Sequence, residues 1–249
     1  LDKKLAYSFV IQHPENRIVT PFSEPSLYLI DVYEFNCDDD NIKVVSYNLQ
    51  NPQLTVSEEK ILNMLVKNSG IKLPKIYTEH NSIDEYVSYF RSGKVSYDVV
   101  GLVFKHLHSN IRSKVRNPVY EEIRHLKGNY SKKQYRYLAL RKSGKISDYL
   151  RIFKEDVEDF STYREMCHKF TNRLYNFYVE CYMKKEKELR YYPFQFRNHM
   201  IALHQLYVHR LKPENDYVRK YHVIDYFNLL HPSQQMFALN YNMRKVSID

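Results

Sequence analysis

Apolar and polar positions alternate with a period of two near the start of the chain, which predicts strands. Residues 5–11 (Leu-Ala-Tyr-Ser-Phe-Val-Ile) form the first, and His13-Pro14-Glu15-Asn16 a turn. Arg17 to Thr20 is a second, short strand. Leu27 to Phe35 is a third, with Leu27, Leu29, Asp31, Tyr33 and Phe35 on one face. Asp38-Asp39-Asp40-Asn41 is a tight acidic turn, a solvated turn rather than a cation loop, and Ile42 to Tyr47 returns as a hairpin arm. The period then lengthens. Thr55 with Glu58 resembles a capping box ahead of Ile61, Leu62, Leu65 and Val66, in a helix ending near Gly70. Ser82 to Arg91 is a second helix. Val99 to Phe104 is continuously apolar, which predicts a buried strand. Ile111 to Val115 is another strand, with Arg112, Lys114 and Arg116 on one side. Asn117 caps a helix with Pro118 in its first turn and Val119, Ile123 and Leu126 as the buried stripe.

From about Ser147 onward strand signals stop. Residues 163, 166, 167, 170, 174, 177, 178 and 181 are apolar or aromatic at a helical period, so Thr162 to Lys187 is a helix. Phe194 to Leu211, Val218 to Leu230 and Ser233 to Met243 follow as shorter helices, punctuated by Pro193, Pro213 and Pro232. The fold class is α+β: an α/β part over 1–145 and an all-helical domain over 146–249.

Composition narrows the chemistry. With 43% hydrophobic and 27% charged residues the chain folds rather than staying disordered. No run of about 18 apolar residues is present, so no membrane span is expected. Three cysteines, odd in number and widely spaced, fit an intracellular, reducing compartment. Cys167 and Cys181 on one helix would sit about 21 Å apart, too far to bridge. Only 5 glycines are present and no glycine-rich phosphate loop. His106 and His108 share a strand face without a third ligand, and His199 and His204 do not align on a helix, so neither pair predicts a metal site.

The charge is concentrated. Lys105 to Lys145 carries twelve Lys or Arg against Glu121 and Glu122, while the whole chain is +9. Such a band is the footprint expected for a polyanion, RNA first. Tyr130, Tyr135 and Tyr137 interleave with the cations and offer faces to bases. Arg112, Arg124, Lys127, Lys132, Lys133 and Arg136 are the candidate nucleic-acid contacts. Lys105, Lys114, Arg116 and Arg17 are the candidate phosphate anchors.

The segment 7–19 (Tyr-Ser-Phe-Val-Ile-Gln-His-Pro-Glu-Asn-Arg-Ile-Val), with Leu27-Tyr28-Leu29-Ile30 after it, resembles the middle of the phage-type ATP-dependent RNA ligases. Gly101-Leu-Val-Phe-Lys105 looks like that family's fourth nucleotidyltransferase motif, and Lys114-Val115-Arg116 like its fifth. Arg116-Asn-Pro-Val-Tyr120 and Lys127-Gly-Asn129 look like wording found in large DNA viruses. The resemblance implies a nucleotidyltransferase-like antiparallel sheet followed by an RNA-binding helical domain, with ATP and Mg2+ as cofactors. The chain departs from the pattern at the chemistry. The family's Lys-x-Asp-Gly nucleophile motif is absent, the motif glutamate is replaced within Ser8-Phe9-Val10, and Val100 stands where a glutamate precedes Gly101. No catalytic residue is therefore assigned. The start at Leu1, with no Met and already inside a core strand, suggests a fragment or a processed product, with adenylyl transfer expected only if a lysine motif exists upstream. The alternative is a non-catalytic nucleic-acid-binding or structural protein on the same fold.

Overall fold

The computed structural model describes residues 5–38, 41–47, 55–67, 69–80, 82–106 and 111–242. They fall into two compact units, Leu1–His125 and Leu126–Asp249. The fold is α+β, with antiparallel sheets in the first unit and helices in the second.

In the first unit, β1 (Leu5–Gln12), β2 (Ser26–Asp38) and β3 (Asn41–Tyr47) form an antiparallel sheet in that order. Residues 17–20, expected as a strand, turn instead, following a short helical turn at Pro14–Asn16. Thr20 is held there by its hydroxyl, which reaches the carbonyls of Tyr97 and Asp98, both at 3.4 Å. The turn expected at 38–41 includes residues outside the described set.

The register of β1 on β2 slips between Ser8, opposite Asp31, and Phe9, opposite Leu29. Ile30 is the extra residue of a bulge, and the slip breaks the expected face of 27, 29, 31, 33 and 35. Leu29 and Val32, an odd number apart, both reach one apolar core, and Asp31 turns to the other side. That core is closed by Ile61 and Leu65 from α1 (Val56–Leu62) and the π-helical turn after it. The Thr55–Glu58 capping box forms as expected: Thr55 N–H donates to Glu58 Oε2 at 2.8 Å and Glu58 N–H to Thr55 Oγ1 at 3.3 Å.

A second core lies under β4 (Gly101–Lys105) and β5 (Arg112–Arg116), an antiparallel pair. Phe90 of α2 (Ile83–Arg91), Val95 and Leu102 are buried there, with Phe104 and Val115 packed against them. The strand expected to be buried throughout is covered on one face only. Val103 is 66% exposed, because a two-stranded sheet with helix on one side leaves the other side open. Gly101 is required where it stands, since a Cβ there would collide with the Val115 carbonyl.

α3 (Pro118–Lys127) follows, burying Tyr120 and Ile123. Val119 and Leu126, expected in its stripe, are half-buried.

The second unit holds α4 (Lys133–Lys142), α5 (Ile146–Ile152), α6 (Val157–Tyr178), α7 (Phe194–Leu206), α8 (Lys220–Leu229) and α9 (Pro232–Leu239). α6 and α7 each continue into a π-helical turn. The division lies at 125/126 rather than 145 because α4 buries Tyr137, Leu138 and Leu140 among helices, packing against α6 and α9. The core is aromatic. Tyr149 stacks on Phe153 at 4.6 Å and Phe160 at 5.2 Å, and Phe170 stacks on Phe196 at 4.9 Å. Cys167 and Cys181 are free thiols. No described helix is long and apolar enough to cross a membrane.

Candidate nucleotide-binding site

The bulge at Ile30 is what creates the site. It sends the Asp31 carboxylate out of the apolar core toward β4 and β5. There Lys105 Nζ contacts Oδ1, and Arg112 Nη2 lies 2.9 Å from Oδ2. The Asp31 side chain is 2% exposed, Lys105 28% and Arg112 35%. The two cations therefore cover a buried carboxylate and keep their outer surface free. Lys105 and Arg112 are directly opposite in the β4–β5 register, so the hairpin sets their spacing. Arg112 also donates to the Tyr33 hydroxyl.

Beside them opens a pocket of about 570 Å³. Its walls are Ile76, Tyr77, His80, Ile83, Tyr86 and β4 from Gly101 to Lys105. The aromatic wall is braced from behind. Tyr77 meets Phe90 edge-on at 5.9 Å and His80 meets Tyr86 edge-on at 4.8 Å. The Tyr86 hydroxyl accepts from His80 N–H at 3.1 Å. Lys75 Nζ sits 4.6 Å from the Tyr77 ring centre. A volume of this size holds a mononucleotide, with rings for a base and two cations for phosphates.

The candidate residues separate into groups. Lys105, a predicted phosphate anchor, and Arg112, a predicted nucleic-acid contact, share this pocket. Lys114 is exposed on β5 and Arg116 turns to Glu121 at 2.8 Å. Neither Lys114 nor Arg116 lines the pocket. Arg17 Nε donates to the Val19 carbonyl at 3.0 Å and also stands apart. Arg124 shares Glu121 with Arg116, at 3.2 Å.

The remaining cations of the band belong to the helical unit. Lys127 Nζ lies 5.2 Å from the Phe153 ring centre. Lys133 is 2.9 Å from Asp156 and 2.8 Å from Asp159, and Arg136 is 3.6 Å from Asp156. The hydrogen bonds it donates to Asp156 and Asp159 push the Lys133 ammonium above its ordinary value. Lys132 is exposed at the start of α4. Of the three tyrosines expected to stack on bases, Tyr137 is buried, and Tyr130 and Tyr135 pack on each other at 5.1 Å.

Half of the band's twelve cations are thus held in ion pairs. The acids that organise them are Asp31, Glu121 and Asp156. In the sequence Glu121 registers only as a deduction from net charge. Asp31 was detectable as a lone acid inside the apolar run Leu29-Ile-Asp-Val32, but its phase could not be read without the bulge. Tyr77, His80 and Tyr86 carried no signal, because nothing in their spacing marks one wall.

ATP phosphates fit the two cations. A divalent metal held by protein carboxylates does not fit this pocket, because both Asp31 oxygens already face cations. Among the described residues no group of three or more His, Cys, Asp or Glu is placed to hold a metal ion. His199 instead bonds the Tyr226 hydroxyl at 2.8 Å, and His204 stacks on Tyr182 at 4.1 Å. Burial lowers the imidazole pKa of both. Compared with models of known families and with characterised proteins, the chain matches none.

Proposed function

We propose that the first unit is an RNA ligase-like nucleotidyltransferase domain whose pocket binds an adenine nucleotide, and that the chain also binds RNA. The observation that carries the nucleotide reading is the convergence of Lys105 and Arg112 beside an aromatic-walled pocket of about 570 Å³. Tyr77, Tyr86 and His80 would flank the base, and the two cations would meet the phosphates. The position of Lys105 at the end of the strand resembling the fourth ligase motif supports the same reading. Adenylyl transfer needs a nucleophilic lysine, and the family's motif for one is absent from the chain, so no transfer step is assigned to these residues. That absence favours, as the second reading, a non-catalytic nucleic-acid binder on the same fold.

Equilibrium dialysis of the full chain against ATP and adenosine tests the pocket. ATP should bind at least about tenfold more tightly than adenosine, since charge-assisted bonds to phosphate contribute about 1.5–3 kcal/mol each. Val103→Trp, on the open face of β4, should fill the pocket and abolish both. Equal affinity for ATP and adenosine, or full ATP binding by the Trp variant, would contradict the reading.

A further inference from the structure

The helical unit has a cationic depression of its own. It lies between α4, α5 and α6 and has a volume of about 470 Å³. Arg141 enters from α4, and Ser161, Arg164 and His168 from α6, over an apolar floor that includes Leu150 and Phe160. These positions follow from helical spacing, since 161, 164 and 168 share one face of α6.

What separates these arginines from the paired cations Lys105, Arg112, Arg116, Arg124, Lys133 and Arg136 is the lack of a carboxylate. Arg141 Nη1 is buried with no hydrogen-bond partner. The Arg141 side chain does reach the Tyr137 hydroxyl and the Cys167 thiol. Burial raises the pKa of both, so both are neutral and neither balances a charge. Arg164 has no ion pair among the described residues.

The nearby acids face other cations. Asp148 pairs with Arg151 at 3.1 Å, Asp159 with Lys133 at 2.8 Å and Glu165 with Lys169 at 3.2 Å. Glu158 does not line the depression. A half-buried guanidinium without a counter-charge is costly to keep. A bound oxyanion would supply the missing charge. Two guanidiniums, an imidazole and a hydroxyl suit a phosphate, which accepts several donors at once and takes guanidinium in a bidentate fashion.

We propose that this depression binds a phosphate group. The group could be carried by a free phosphate compound or by an RNA strand. A second depression of about 400 Å³ shares Ser161, Arg164 and His168, which leaves room for the bearer to continue along α6. The site lies wholly in the helical unit, so it stands or falls independently of the nucleotide pocket.

The test is titration calorimetry on the full chain at low salt. The probes are inorganic phosphate and a short single-stranded RNA with either a 5′-phosphate or a 5′-hydroxyl. The variants are Arg141→Met and Arg164→Gln, with Lys187→Ala, an exposed cation elsewhere in the unit, as control. Inorganic phosphate should bind the wild type and the control equally. Either arginine variant should weaken it about tenfold or more, the worth of one charge-assisted hydrogen bond. Arg164 is exposed, so its variant keeps the test valid if Arg141→Met does not fold.

The RNA arms identify the bearer. A 5′-phosphate preference lost in Arg164→Gln marks a strand terminus. Equal weakening of both RNAs marks an internal phosphate, and no effect on either RNA marks a free phosphate compound. Absence of phosphate binding by the wild type, or equal weakening by Lys187→Ala, overturns the proposal.

Discussion

Asp156 shows how single residues govern this chain. It accepts from the Tyr149 hydroxyl at 2.5 Å and faces Lys133 and Arg136, with its side chain 5% exposed. Burial opposes the ionised carboxyl, but hydrogen bonds from Lys133 and Tyr149 and the charges of Lys133 and Arg136 outweigh it, so its pKa is lowered. The Tyr149 phenol is raised in turn, by burial first and by Asp156 second. Asp156→Asn should destabilise the helical unit by about 3 kcal/mol at neutral pH, because two cations lose their buried counter-charge. A carboxyl lowered on folding contributes stability above its unfolded pKa of about 3.9, and loses it as pH falls through the folded value. The urea midpoints of wild type and variant should therefore converge in acid, and a gap independent of pH would contradict this account. The sequence shows the cations of the band but not their partners. Lys133 and Asp156 are separated by the whole of α4 and α5, so only the folded packing makes them a pair.

At the scale of elements, capping and period were legible and phase was not. Thr55 with Glu58 marked the start of α1 because both halves of a capping box lie within one turn of sequence. α4 gave no such signal. Its four Lys or Arg hide the apolar positions Tyr137, Leu138 and Leu140 in a basic run. The bulge at Ile30 was invisible because an inserted residue looks like any other residue of a strand. Asn117 was legible as a cap, and it does accept from Val119 N–H at 3.0 Å. Its larger role is as a donor. Its amide reaches the carbonyls of Val95 at 3.3 Å, Ser96 at 2.8 Å and Val99 at 2.9 Å, which holds the loop leading into β4 and hence the pocket wall. Asn117→Asp preserves shape and cap but points a buried charge at these carbonyls. It should cost about 3 kcal/mol, and Asn117→Ala about 2 kcal/mol. Thermal denaturation placing the Asp variant within about 0.5 kcal/mol of wild type would show that the cap alone matters.

At the scale of the whole molecule, net charge was readable from the sequence and usable charge was not. Twelve cations suggest as many phosphate contacts, yet Lys105, Arg112, Arg116, Arg124, Lys133 and Arg136 all face carboxylates. A cation already paired releases few counterions when RNA arrives, because its field is largely cancelled at short range. Lys114, Lys132 and Lys145 are exposed and face no carboxylate among the described residues. They should therefore dominate the salt dependence of RNA binding. For single strands each phosphate contact adds about −0.7 to the slope of log affinity against log salt. Lys132→Ala with Lys145→Ala should shallow that slope by about 1.4 units, and Lys114→Ala by about 0.7. Arg124→Ala should leave it nearly unchanged, because Arg116 still faces Glu121. The measurement is a salt titration of the affinity for a single-stranded RNA on the three variants and the wild type. A slope reduced as much by Arg124→Ala as by Lys114→Ala would mean that pairing does not spend the charge. Absence of RNA binding by the wild type at low salt would reduce the band to a solvated, internally neutralised surface.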